Sequence, residues 1–171
     1  MIEIRIESQE DIRQVRMVNE QAFDAPSEAN IVDKLRQACP DFLSLVAEDG
    51  KDIVGHILFT PIVVEGAGRT VQGMGLAPMA VKPERQRQGI GSSLVKKGLE
   101  TLRQRGCPFV IVLGHPEYYP RFGFERASTY RLSSQWDGVP DEAFMVIVMD
   151  QAALEGISGV ARYRAEFDEA M

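Results

Sequence analysis

The residues best placed to do chemistry lie between 79 and 92: Met79-Ala80-Val81-Lys82-Pro83-Glu84-Arg85-Gln86-Arg87-Gln88-Gly89-Ile90-Gly91-Ser92. An apolar run ends in a charged turn, and two glycines then open a segment whose apolar positions, Ile90, Leu94, Val95, Leu99 and Leu102, share one helical face. Glycines at such a strand-to-helix turn let successive backbone N–H groups converge on one point. The helix N-terminus adds about half a positive charge there, so the arrangement suits a phosphate or pyrophosphate. Five basic residues (Lys82, Arg85, Arg87, Lys96, Lys97) stand against one acid (Glu84) across this stretch, a local +4 in a chain of net charge −6.

Two common nucleotide loops are excluded on named residues. A dinucleotide fingerprint needs a third glycine where Leu94 stands, and an acid ~20 residues on, where the chain is the apolar run 109–113. A Walker loop needs Gly-Lys-Ser/Thr, which does not occur.

The elements that position this segment follow from periodicity. Residues 2–7 alternate as a half-buried strand, and Ser8 with Asp11 makes a weakened capping box before a helix running to about Phe23. Pro26-Ser27 breaks it. Ser27 then caps a second helix carrying Ile31, Val32 and Leu35, which Cys39-Pro40 ends. Residues 43–48 and 53–60 read as a hairpin about Asp49-Gly50, and 62–65 and 70–72 as strands about Gly66 to Arg69. Residues 75–81 run on as a strand, and the glycine-led helix spans 89–105 with Gly106 as its stop. Residues 109–113 form a strand buried on both faces and 144–149 another strand. The last twenty residues carry no clear period. With no repeat or linker, residues 1–171 read as a single domain, ordinary for ~100–200 residues.

Composition narrows the function classes. The apolar, charged and aromatic fractions, 44, 26 and 8%, are those of a globular chain. The acidic balance argues against a general nucleic-acid binder, no apolar run reaches the ~20 residues of a membrane helix, and the N-terminus lacks a signal-peptide profile. Cys39 and Cys107 have neither disulfide-framework nor metal-ligand spacing. The expectation is a cytoplasmic protein with free thiols and no metal.

The pattern Gln86-x-x-Gly89-x-Gly91, after Ala80-Val81-x-Pro83, resembles the acyl-CoA motif of the GCN5-related N-acetyltransferase (GNAT) superfamily. Tyr119-Pro120-Arg121-Phe122-Gly123-Phe124 is similar to that family's Tyr-x-x-x-Gly-Phe segment, one helix and one strand downstream. The likeness spans roughly residues 2–149 and is strongest over 74–124, and the stretch 114–124 is like that of predicted N-acetyltransferases. It implies a mixed α/β (α+β) fold, a mostly antiparallel sheet flanked by helices, whose parallel fourth and fifth strands splay apart to admit the donor. It further implies that main-chain groups of Met79, Ala80 and Val81 line the pantetheine arm, the Met79 amide facing the thioester carbonyl. By the same likeness Gln86, Arg87, Gln88, Gly89, Ile90, Gly91 and Ser92 would form the pyrophosphate site, Gln86 at the leading motif position and the amides from Arg87 to Ser92 as the cradle, with Arg85 and Arg87 as neighbours. The resemblance makes Tyr119 the expected general acid for the leaving thiolate, with Tyr118 its competitor.

The implied reaction moves acetyl from acetyl-CoA to an amine by direct attack, since no cysteine is placed as a nucleophile. The acceptor is a small molecule or a protein amine, and homodimerisation is left open. The base stays unassigned among Glu28, Glu48, His56 and His115: His56 lies mid-strand, His115 follows the buried strand, and Glu28 begins a helix. The rival reading is a catalytically silent CoA-binding sensor or interaction module, which would keep Gln86 to Gly91 without needing Tyr119.

Overall fold

The computed structural model describes residues 1–170 and arranges them as one mixed sheet with helices on both faces. The strands are β1 (Ile2–Ile6), β2 (Leu43–Asp49), β3 (Asp52–Gly66), β4 (Arg69–Val81), β5 (Phe109–Leu113), β6 (Glu125–Arg126), β7 (Leu132–Ser134), β8 (Phe144–Val148) and β9 (Gly159–Arg162). The helices are α1 (Ile12–Phe23), α2 (Ser27–Ala38), α3 (Ile90–Gln104) and a single turn, α4 (Gln151–Leu154). The sheet runs β1-β2-β3-β4-β5-β8-β6, with β9 added against β3 and β7 against β9. The β4–β5 and β7–β9 pairs are parallel and the others antiparallel.

The alternation along β3 sorts the core. Leu58 and Ile62 face α1 and α2 and pack with Val15, Val18, Ile31 and Leu35. Ile57 and Phe59 face α3 and pack with Ile90, Leu94, Leu99 and Leu102, the face predicted from the helical period. Each such fully buried side chain contributes about 1.5–3 kcal/mol. Gly98 lets α3 approach closely, since a Cβ there would stand 2.3 Å from Phe59 Cε2. The helix entry also forms as expected: the Ser8 N–H donates to Asp11 Oδ2 at 2.7 Å. The same carboxylate takes two bonds from the Arg5 guanidinium, which holds its pKa down to about 2.

Three details differ from the sequence reading. Residues 53–60 and 62–65 are one strand, because β3 outruns β2 at Phe59 and Pro61 is left without a β2 neighbour. Ser27 lies inside α2 rather than capping it, its hydroxyl donating to Glu28 at 2.8 Å. The final segment, unassigned from sequence, holds α4, β9 and a 3-10 stretch, Ala165–Ala170, packed on α2.

Candidate active site

The cleft begins where β4 leaves β5. Only residues 74–76 pair with 110–112. Opposite Leu58, β4 carries one extra residue at Ala77-Pro78, and beyond this bulge it keeps its β3 partner but has none on the β5 side. Antiparallel alternation then fixes what faces the gap. The Lys82 N–H donates to Val54 O at 2.9 Å, so residues 54 and 82, and likewise 56 and 80, are the bonded pairs. Ala80 spends its main-chain groups on His56, whereas Met79 and Val81 turn theirs toward the splayed side.

At the start of α3, Arg87 (φ +64°) and Gly89 (φ +83°) both take left-handed backbone. A Cβ at Gly89 would meet nothing within 4 Å, so the glycine is required by conformation and leaves the approach open. Ser93 is the first N–H to bond back along the helix, to Gly89 O at 3.0 Å, while those of residues 87–92 have no backbone acceptor among the described residues. Such a run of oriented, unpaired donors is an anion cradle. The Ile90 side chain is buried beneath it. Gln86 donates its amide to Val81 O at 3.1 Å and so closes the turn. Arg85 is spent on Asp49 (3.0 Å) and on Gln88 Oε1 (3.2 Å). The Arg87, Lys96 and Lys97 side chains are exposed and belong to no ion pair among the described residues.

The two tyrosines occupy different places. Tyr118 stands over the cradle, its hydroxyl 3.0 Å from Ser92 Oγ and 3.3 Å from where a Gly91 Cβ would be. Tyr119 is buried and lies on the cleft wall, wedged edge-on between Tyr118 and Phe124 and against Gly114. Burial pushes its phenol pKa well above the ordinary value, so it keeps its proton across the physiological range.

Of the four base candidates, two reach the cleft. His56 is fully buried; Asn19 Nδ2, oriented by its bond to Val15 O, donates to Nδ1, so Nε2–H donates to Ser44 Oγ at 2.9 Å. Burial lowers its pKa to about 3, and the Arg36 charge adds to this. Glu48 is tied to Arg5 at 2.9 Å, away from the cleft. Glu28 and His115 both line a cavity of about 390 Å³ that opens from the β4–β5 gap. Neither cysteine lines it, and the described residues hold no cluster of three groups able to bind a metal.

The remainder of that wall was missed from sequence. Trp136, Tyr163 and Phe167 form a continuous aromatic row, with centroids 5.1 and 5.5 Å apart. Tyr163 lies over Gly75, where a Cβ would come within 2.8 Å of its ring. Tyr163 follows β9 and Phe167 lies in the 3-10 stretch, so no sequence period linked them, and nothing in the sequence said that β9 would bring them to this cleft.

A bulged fourth strand parting from a parallel fifth, with a glycine-led cradle beside the gap, defines the fold of CoA-dependent N-acetyltransferases. The chain belongs to the GNAT family: the model of the acetyltransferase (GNAT) domain matches residues 3–127. Among its relatives is the Escherichia coli (strain K12) protein named uncharacterized N-acetyltransferase YhbS, 34% identical over 96% of this chain and 98% of that one. YjhQ of the same strain, named likewise, is 42% identical over 70% of this chain and 67% of its own. The crystal structure of E. coli YhbS in complex with CoA superposes with a TM-score of 0.89, covering 98% of this chain and 92% of that one. A GNAT family acetyltransferase from Brucella melitensis in complex with acetyl-CoA gives 0.80 at 34% identity, covering 98% and 99%.

Proposed function

We propose that the chain transfers acetyl from acetyl-CoA to an amine by direct attack within a ternary complex, in the cytoplasm. The observation that carries this reading is the run of unpaired N–H groups at residues 87–92 beside a gap faced by the main chain of Met79 and Val81. Acetyl-CoA, when bound, supplies the activated acetyl group. The cradle takes the pyrophosphate, with the exposed Arg87 within it as a free cation. Met79 and Val81 hydrogen-bond the pantetheine arm as a further strand would. The Met79 N–H is aimed at the carbonyl oxygen, where one well-placed donor is worth about 3 kcal/mol in the transition state. Glu28 or His115 accepts the amine's proton as the C–N bond forms. As the C–S bond breaks, Tyr119 gives its proton to the sulfur. From the neutral amine the net result is an amide and a thiol, with one proton moved from nitrogen to sulfur; an amine that arrives as an ammonium ion first releases one further proton to solvent.

The test is Gly89→Asp, which puts a carboxylate and a strained φ where the pyrophosphate would sit. Calorimetry should show CoA affinity falling by about 10²-fold or more, with stability lowered by only about 1–3 kcal/mol, the cost of a non-glycine residue at this φ. Unchanged affinity would place the donor elsewhere and remove the basis of this reading. Turnover with any amine separates an enzyme from a silent CoA-binding module.

A further inference from the structure

The family match ends at residue 127, yet three side chains that close the cleft opposite the cradle, Trp136, Tyr163 and Phe167, come from beyond it. Phe23, exposed at the end of α1, and Tyr119 extend the aromatic lining of this half-open cavity, and Ile31 adds to its apolar surface. Among the lining residues the only acid is Glu28, the only basic group is His115, and there is no lysine or arginine.

From this lining we infer that the acceptor is a monoamine on a compact apolar body of aromatic-ring size, an arylalkylamine by chemical class. This rests on the acetyltransferase reading above. An amine of this kind arrives as an ammonium ion, and one carboxylate among aromatic faces is the surrounding that holds a single organic cation. A polyamine or aminoglycoside would bring several charges to one acid and leave the others desolvated without partners. A free amino acid would bring a carboxylate to a wall without lysine or arginine. A peptide would lay backbone amides against aromatic carbon, with few polar groups to receive them. The cavity is also near the small end of the ~300–1,000 Å³ range of ligand sites. One hydrogen-bonding group in the wall is unspent as well: the Tyr163 hydroxyl is buried and has no partner among the described residues.

Trp136 is the only tryptophan of the chain, so its fluorescence reports this wall directly. Phenethylamine, spermidine, glycine and the anionic analogue 3-phenylpropionate are titrated into the intact protein with CoA bound, and acetyl-CoA turnover with each amine is followed by thiol release. The expected result is a saturable fluorescence change and turnover with phenethylamine, and neither saturation nor turnover at millimolar levels with the other three. Glu28→Gln should weaken phenethylamine binding about tenfold or more, and Phe167→Ala should raise its KM more than it lowers kcat, while CoA affinity by calorimetry stays unchanged in both. Turnover favouring spermidine or glycine overturns the inference, and so does a lack of phenethylamine saturation in protein that binds CoA normally. Failure to bind CoA at all is the separate outcome that overturns the acetyltransferase reading itself.

Discussion

Gly114 should be where the tyrosine assignment is decided. It has ordinary backbone, but a Cβ there would stand 2.4 Å from Tyr119 Cε2 and 3.0 Å from Cδ2. Restoring normal contact requires the ring edge to retreat by about 1 Å, and Tyr118 and Phe124, packed edge-on at 5.1 and 5.7 Å between centroids, restrict where it can go. Overpacking of this kind costs about 1–3 kcal/mol of stability. A 1 Å misplacement of a catalytic group costs about 10²-fold in rate. Gly114→Ala should therefore lower kcat by about two orders of magnitude in a thiol-release assay while CoA affinity, set at the start of α3, stays within a few-fold. Tyr119→Phe, which removes only the proton donor, should lower kcat by about 10²–10⁴. Adding Gly114→Ala to Tyr119→Phe should then do little more, because both changes act through the same hydroxyl. Two losses that multiply would refute the reasoning, as would a Gly114→Ala enzyme with near-normal kcat. If Tyr118→Phe is instead the crippled variant, the acid is the tyrosine beside Ser92.

Three further outcomes are expected. Gly98→Ala should lower the unfolding free energy, read from urea denaturation, by about 1–3 kcal/mol, because its Cβ would press on the fully buried Phe59 and outweigh the roughly 1 kcal/mol gain in helix propensity; a stabilised variant would contradict this. His56 has a folded pKa of about 3 against an ordinary 6.5, so the unfolded chain gains a proton across that window and the folded chain does not. Stability should fall as pH drops from 6.5 toward 3, by up to about 1.4 kcal/mol per unit, and urea midpoints for His56→Gln should show a shallower slope. Cys39 is buried and Cys107 half-buried, both free, so reductant should leave the denaturation midpoint of the parent unchanged; a reductant-dependent loss would reveal a disulfide.

What the sequence made legible was what period and turn chemistry control. The α3 face, the doubly buried β5 and the glycine-led turn were all readable because each depends on neighbours within a few residues. Pro61 misled because its tolerance depends on where β2 stops, which is a fact about another strand. His56 could be weighed only as a mid-strand residue, since the partners that make it a neutral core group, Asn19 and Ser44, come from two other elements. Gln86 stood in a cofactor motif, yet its side chain bonds Val81 O and acts on the turn. The strand, turn and helix start on one side of the cleft are local in sequence and could be read there. The opposite wall gathers Phe23, Trp136, Tyr163 and Phe167 from across the chain, and of the polar groups beside them only Glu28 and His115 could be singled out.

That division has a consequence for how the protein is made. Val63 and Val64 of β3 pair with Arg162 and Ala161 of β9, residues separated by roughly a hundred positions. The ladder admits the returning chain only through two glycines: a Cβ at Gly66 would meet Ser158 O at 2.6 Å, and one at Gly159 would meet Glu65 O at 2.6 Å. Contacts so distant form late, and synthesis delivers the N-terminal part first. A nascent chain that has emerged through β5 already holds the bulge, the cradle and β4, whereas the aromatic row must await β9. Ribosome-bound intermediates should therefore gain affinity for CoA before the aromatic wall of the cleft is complete. A chain stalled short of β9 would hold its donor beside an open cleft, and water would have readier access to the thioester.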